Sequence, residues 1–237
     1  MRQFDEKLSR TRFLGVGNPS ESGVHLLYFF RQENRLAKSQ FIDSNQIFDR
    51  SNPMDIQLNA PDIEEYIFID DFCGSGSQAT EYSDKIVDLI LSINPHVKIS
   101  YLMLFATNTG KDYVKNNTNF HYVDSVYEVD ETFKCFSTNS RFFKNAPDEI
   151  NQIFAKEMCE RYGKDLIKSI IEREIRGISV AELENLSEQH KLGFGDCQLL
   201  MGFHHNTPDN TLPIIWYDEN DIAWNPIFKR YNKKYGI

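Results

Sequence analysis

Apolar and polar residues alternate along the first half of the chain in a way that predicts strands followed by helices. Short continuous apolar runs predict buried strands, and longer segments with apolar residues every three or four positions predict amphipathic helices. The predicted strands are Arg12–Gly17, Gln40–Asp43, Tyr66–Ile69, Val97–Phe105 and Asn119–Val129. The predicted helices are Phe4–Ser9, Val24–Glu33, Ala79–Ile93 and Thr109–Lys115. This alternation predicts an α/β fold with a parallel sheet and right-handed crossovers.

The pattern changes in the second half of the chain, where helices predominate. We expect one long amphipathic helix over Asp148–Arg176, or two helices with a break near Gly163. A capping box at Ser179–Glu182 predicts the start of a further helix. Two short strands, Cys197–His204 and Thr211–Trp216, are predicted on either side of a turn-rich segment.

The change of pattern suggests an organisation in two parts. We predict a core of residues 1–130 and a helical and β-hairpin appendage of residues 131–237. Because no flexible linker separates them, we expect the appendage to pack on the core as one structural unit.

Composition narrows the class of protein. Of the 237 residues, 41% are hydrophobic and 26% are charged, which is typical of a globular protein. The net charge of −9 argues against strong direct binding to nucleic acid, which requires clustered Lys and Arg. The sequence shows no signal peptide and no membrane span, and its four cysteines match no zinc pattern. We therefore expect a cytoplasmic protein in a reduced compartment.

The segment Tyr66–Gln78 carries the strongest chemical signal. A predicted buried strand delivers two adjacent carboxylates, Asp70 and Asp71, and a small-residue loop and a predicted helix follow. Ligands of open α/β sheets bind beyond the carboxyl ends of the strands, and a glycine-rich loop lets backbone N–H groups approach a phosphate. Since carboxylates accept hydrogen bonds from neighbouring hydroxyls, this segment suits a ribose 5-phosphate.

The same segment resembles the signature of type I phosphoribosyltransferases, in which an apolar strand, an acidic pair and a small-residue loop follow one another. The resemblance implies a Rossmann-like parallel sheet and a catalytic role for Asp70 and Asp71, which would hold the ribose hydroxyls and approach Mg²⁺ indirectly. It also implies a loop that binds the 5-phosphate, formed by Gly74, Ser75, Gly76, Ser77 and Gln78. Two positions differ from the usual pattern: Gly74 replaces Thr or Ala, and Gln78 replaces a hydroxyl residue.

Neighbouring segments extend the resemblance. The loop after the first strand resembles the pyrophosphate loop of the family, with donors from Asn18, Ser22 and Gly23. The appendage takes the place of the variable hood that recognises bases, which makes three residues candidates for the acceptor side: His204, His205 and Asn206. A structural role is favoured for these residues, because adjacent strand residues point to opposite faces and the surrounding sequence is rich in turn formers.

Three segments, residues 22–34, 69–78 and 194–216, are similar to a bacterial branch of phosphoribosyltransferase-like proteins. This branch occurs in conflict-associated and antiphage gene neighbourhoods, including some retrons. The resemblance implies a pentosyl-transferring enzyme that binds phosphoribosyl diphosphate or a 5′-phosphoribosyl nucleotide with Mg²⁺. It also implies partner proteins from a defence operon, such as a complex of reverse transcriptase and retron RNA.

Two alternatives stay open. The residues at positions 74 and 78 leave room for a non-catalytic module that senses a phosphoribosyl nucleotide and regulates a partner. The sequence Asp-Phe-Cys-Gly-Ser-Gly also resembles the first glycine-rich motif of S-adenosylmethionine-dependent methyltransferases, although Asn52–Asp55 is a poor match to their second motif. A Walker B strand is disfavoured because no G-x-x-x-x-G-K-[ST] loop precedes it.

Overall fold

The fold consists of two compact units, Met1–Glu128 and Val129–Ile237, and each is described by itself. The computed structural model describes residues 2–17, 22–204, 206–219 and 221–230. The packing of core and appendage as one structural unit stays a prediction.

The first unit is built on a four-stranded sheet. Its strands are β1 (Thr11–Gly15), β4 (Glu65–Cys73), β5 (Lys98–Thr107) and β6 (Tyr122–Val129). A separate antiparallel ladder consists of β2 (Phe48–Asp49) and β3 (Gln57–Leu58). The order in the larger sheet is β1-β4-β5-β6, and β4 pairs in parallel with both β1 and β5. β4 is therefore a central strand, paired with β1 up to Ile69 and with β5 up to Cys73.

Helices cover both faces of this sheet. They are α1 (Arg2–Ser9), α2 (Ser22–Glu33), α3 (Ser77–Tyr82), a π-helical turn (Ser83–Val87), α4 (Asp88–Ile93) and α5 (Asn108–Asn117). On one face, Leu27 of α2 packs with Phe13 and Ile69. On the other, Ile90 of α4 belongs to the main core with Phe68. The parallel sheet with helices on both faces confirms the predicted α/β class.

The second unit is mainly helical. Its helices are α6 (Gln152–Glu174), α7 (Val180–His190) and α8 (Pro213–Trp216). The Asn151 side chain caps α6, and the Ser179 hydroxyl caps α7 by accepting the N–H of Glu182 at 3.2 Å. Among the helices that the structure describes, none has both the length and the apolar character needed to cross a membrane.

The glycine in the middle of α6 does not break the helix. A Cβ atom on Gly163 would lie 2.0 Å from the carbonyl oxygen of Lys191, just after α7. The helix therefore continues through this position, and the missing side chain lets the chain after α7 approach closely. Of the two arrangements expected for Asp148–Arg176, the structure has the single helix.

Three predicted strands are wrong. Lys38–Gln40 forms a 3-10 turn, and only an isolated bridge joins Phe41 to Phe13. In place of the strands Cys197–His204 and Thr211–Trp216, the described residues form one isolated parallel bridge between Leu199 and Thr211. A hairpin requires antiparallel neighbours, and here Pro213 opens α8, because its fixed φ suits the first turn of a helix.

Candidate functional site

The acidic pair lies inside β4, because pairing with β5 continues to Cys73. Both side chains are buried, with Asp70 exposed to 7% and Asp71 to 6%. The hydroxyl of Tyr101 on β5 donates to Oδ2 of Asp70 at 2.9 Å, and the backbone N–H of Asp71 donates to Oδ1 at 2.9 Å. Both carboxyl oxygens of Asp70 are therefore engaged by groups of the chain itself.

Burial dominates the electrostatics of this pair. It raises the pKa of Asp70 well above its ordinary value, and the neighbouring carboxyl of Asp71 raises that pKa further. The hydrogen bond from Tyr101 acts in the opposite direction. Burial and the charge of Asp70 also raise the pKa of Tyr101 well above its ordinary value, so its phenol remains a hydrogen-bond donor.

The small-residue loop after β4, residues 74–76, packs against the first turns of α5. Gly76 has a φ of +84°, a left-handed conformation that favours glycine. The Thr107 hydroxyl donates to the carbonyl of Gly74 and accepts the N–H of Gly110 at 2.9 Å. A Cβ atom on Gly110 would lie 2.0 Å from the carbonyl oxygen of Gly74. Residues of β5 and α5 thus fix the conformation of the loop.

The residues predicted to bind phosphate and ribose form one continuous segment of the first unit. Ser75 and Ser77 have their hydroxyl oxygens 3.0 Å apart, and Ser77 and Gln78 are exposed at the start of α3. The segment therefore leads from a buried acidic pair to an accessible turn of small and hydroxyl residues. Such a turn can present backbone N–H and O–H donors to an anion.

A divalent cation would find few protein ligands here. Among the described residues, no group of three or more His, Cys, Asp or Glu side chains could hold a metal ion. Mg²⁺ is commonly held by one or two carboxylates together with substrate phosphates and water. Asp70 and Asp71 are both buried, and both oxygens of Asp70 accept hydrogen bonds from the chain itself. An indirect role of this pair toward a Mg²⁺ held by phosphate oxygens and water therefore stays a prediction.

Several other predicted site residues stay predictions. Asn18 and His205 lie outside the described residues. Ser22 and Gly23 belong to the first turn of α2. In the second unit, His204 is exposed and Asn206 is half-buried. Neither the pyrophosphate loop nor the acceptor side is therefore defined by these residues.

Sequence reasoning missed Tyr101, Thr107 and Gly110. Tyr101 reaches Asp70 only through the pairing of β5 with β4, and a local motif contains no such register. Thr107 had a detectable signal, since a threonine between a predicted strand and a predicted helix is a favourable N-cap.

The segment Phe194–Trp216 builds much of the interior of the second unit. The Asn210 amide donates to the carbonyl of Phe194 at 3.1 Å, and the Trp216 indole donates to the carbonyl of Thr211 at 2.8 Å. Gln198, which has a φ of +52°, lies between two clefts of about 520 and 460 Å³ and contributes to the wall of both. The hydrogen bonds give this segment a structural role.

Two solved structures are similar to part of the chain. An orotate phosphoribosyltransferase from Aeropyrum pernix is 10% identical, with a TM-score of 0.31 over 54% of this chain and 71% of the other. The xanthine-guanine-hypoxanthine phosphoribosyltransferase of Helicobacter pylori is 12% identical, with a TM-score of 0.28 over 54% of this chain and 78% of the other. The search of curated proteins gave no match.

The family model gives the assignment. The model of the PRTase-CE family matches residues 1–230, which is nearly the whole chain and includes both units. The chain therefore belongs to the PRTase-CE family and is a phosphoribosyltransferase-like protein.

Proposed function

We propose that the chain binds a 5-phosphoribosyl group at the carboxyl end of β4, as phosphoribosyl diphosphate or as a 5′-phosphoribosyl nucleotide. One observation carries this proposal: Asp70 and Asp71 lie near the carboxyl end of β4, and a loop of small residues that leads into α3 begins directly after Cys73. Membership of the PRTase-CE family supports it. The loop would bind the 5-phosphate, and the acidic pair would contact the ribose hydroxyls.

The reaction we propose is pentosyl transfer at ribose C1, with diphosphate as leaving group and a nitrogen of an unidentified acceptor as nucleophile. Two anchors on the same sugar, one at the phosphate and one at the hydroxyls, would fix the position of C1 relative to an acceptor. Mg²⁺ bound with the diphosphate would neutralise charge on the leaving group. The resemblance to the antiphage branch supports a role in a defence operon with partner proteins.

A second candidate is a non-catalytic sensor of the same ligand. It is favoured by the engagement of both Asp70 oxygens by Tyr101 and the Asp71 backbone, which gives this carboxyl a structural role. The exposed Gln78 in place of a hydroxyl residue points the same way. Such a protein would hold the ligand without releasing diphosphate.

Calorimetric titration separates the candidates. We expect binding of phosphoribosyl diphosphate with Mg²⁺ and no binding of S-adenosylmethionine. Asp71→Asn should weaken that binding about 10- to 100-fold, because a hydrogen bond to a charged group contributes about 1.5–3 kcal/mol. The matched control is Asp62→Asn, which changes an exposed carboxylate of the same unit.

The outcomes exclude different hypotheses. Binding of S-adenosylmethionine alone would exclude the phosphoribosyl hypothesis. Tight binding of phosphoribosyl diphosphate without diphosphate release, across a panel of bases and nucleotides, would exclude transfer and support the sensor. Equal affinity of Asp71→Asn and wild type would show that Asp71 makes no contact with the ribose.

A further inference from the structure

We propose that Thr107 and Gly110 are positioning residues for the phosphate loop, and that they set the affinity for the 5-phosphate without touching the ligand. This inference rests on the proposed function, because the proposed function assigns phosphate binding to residues 74–78. It adds two residues from β5 and α5, elements that the sequence motif does not include.

The first line of evidence is the hydrogen bonding of Thr107. Its hydroxyl has a single proton, which it donates to the carbonyl of Gly74. The same oxygen accepts the N–H of Gly110 at 2.9 Å and so caps α5. One buried side chain therefore joins the loop after β4 to the first turn of the helix after β5. Loss of this hydroxyl releases both at once.

The second line of evidence is steric. The Cα of Gly110 lies so close to the carbonyl of Gly74 that any Cβ would meet the oxygen at 2.0 Å. On the neighbouring turn, a Cβ on Gly76 would lie 2.9 Å from a methyl carbon of Val114. The loop is therefore held by backbone-to-backbone contact with α5, and its position depends on the absence of a side chain at residue 110.

Helix formation alone does not account for a glycine at this position. A glycine inside a helix costs about 1 kcal/mol relative to alanine. The φ of Gly110 lies outside the left-handed region, so alanine could adopt the same backbone conformation. The feature that requires glycine is the close approach of Gly74, and this approach orients the N–H groups that we assign to the phosphate.

The experiment compares two ligands in four variants, one of which is Gly110→Ala. Thr107→Val keeps the shape of the side chain and removes the hydroxyl, and Thr107→Ser restores the hydroxyl. Ser179→Ala is the matched control, since it removes a hydroxyl cap of the same geometry from α7. The ligands, each with Mg²⁺, are phosphoribosyl diphosphate, which carries the 5-phosphate, and free diphosphate, which lacks it.

We expect Thr107→Val to weaken phosphoribosyl diphosphate binding about tenfold, the change that corresponds to one lost hydrogen bond. Binding of free diphosphate should not change, and Thr107→Ser should regain most of the affinity. Gly110→Ala should have the larger effect, because the carbonyl of Gly74 has to move. In both Thr107→Val and Gly110→Ala, amide hydrogen exchange should become faster at residues 74–78.

The results distinguish this inference from the proposed function. If the wild-type chain binds phosphoribosyl diphosphate and Thr107→Val binds it equally well, the positioning role is wrong and the proposed function stands. An equal loss for both ligands would also overturn the positioning role, because it indicates general damage to the fold. A wild-type chain that binds neither ligand would refute the proposed function and, with it, this role in phosphate binding.

Discussion

Replacing Tyr101 by Phe is the most direct test of the buried acidic pair. The substitution removes a single hydroxyl from a residue that is 1% exposed, and it leaves Oδ2 of Asp70 without this donor at 2.9 Å. The ring of Tyr101 stacks on Phe120 at 5.2 Å between centroids, and Phe keeps that contact. The change therefore isolates the hydrogen bond.

The expected cost is about 1–3 kcal/mol of the free energy of unfolding, the penalty for a buried polar group that loses its partner. Because the pKa of Asp70 is already raised by burial, the carboxyl can adapt by binding a proton, which favours the lower part of this range. In an Asp70→Ala background the hydroxyl has lost the Asp70 acceptor and keeps only its interaction with the Cys73 side chain. There, Tyr101→Phe should cost less than about 0.5 kcal/mol.

The assay has to report on the first unit. Both tryptophans, Trp216 and Trp224, belong to the second unit, so their fluorescence does not report on β4. Native-state hydrogen exchange of the β4 amides measures the free energy of opening there directly. Tyr113→Phe, which changes a tyrosine on α5 that is 45% exposed, is the control. The coupling between Tyr101 and Asp70 would be refuted if Tyr101→Phe left the free energy of β4 opening unchanged. It would also be refuted if the substitution cost the same in the wild-type and Asp70→Ala backgrounds.

Two further predictions concern the second unit, and urea denaturation followed by tryptophan fluorescence tests both. Gly163→Ala should destabilise the unit by about 2 kcal/mol, because the added Cβ overlaps the Lys191 carbonyl, whereas helix propensity alone predicts a gain of about 1 kcal/mol. Glu157→Ala on the same helix is the exposed control, and a stabilised Gly163→Ala would contradict the close contact. Burial lowers the pKa of His190 below its ordinary value of about 6.5. The unfolded chain therefore binds this proton at a higher pH than the folded protein does, so the free energy of unfolding should decrease as the pH falls below about 6.5. His190→Gln should show a shallower loss of stability on acidification, and an identical slope in both proteins would contradict this assignment.

The residues proposed to bind phosphate and ribose can be located from the sequence alone because they are consecutive, and their binding role stays a prediction. Asp70–Gln78 needs no tertiary information, since the strand, the loop and the helix that present it follow one another in the chain. The buried strands of the parallel sheet were also predictable, because strands buried on both faces consist of continuous apolar residues. Tyr101 and Thr107 could not be assigned in this way. Their contacts depend on which residues of β5 lie opposite β4, and only the sheet fixes that register.

The strands wrongly predicted in the second unit have a tertiary cause. Apolar residues around Gln198 and Thr211 favour strands, yet Gln198 has a positive φ, which an extended strand excludes. Its backbone N–H bonds to the carbonyl of Leu192, and Cys135 donates to its carbonyl. Tertiary hydrogen bonds therefore override the local preference, and a single sequence does not reveal them.

The central place of β4 has a consequence for how the protein acquires its site during synthesis. One partner strand, β1, precedes β4 in the chain, and the other, β5, follows it. The first turn of α5, which packs against the loop, also follows β4. A nascent chain that ends before β5 contains the complete acidic pair and loop but lacks Tyr101, Thr107 and Gly110, which hold them. The proposed site is therefore complete only after residue 110 has been synthesised, and chains that end before β5 expose an unpaired edge of β4, which favours aggregation.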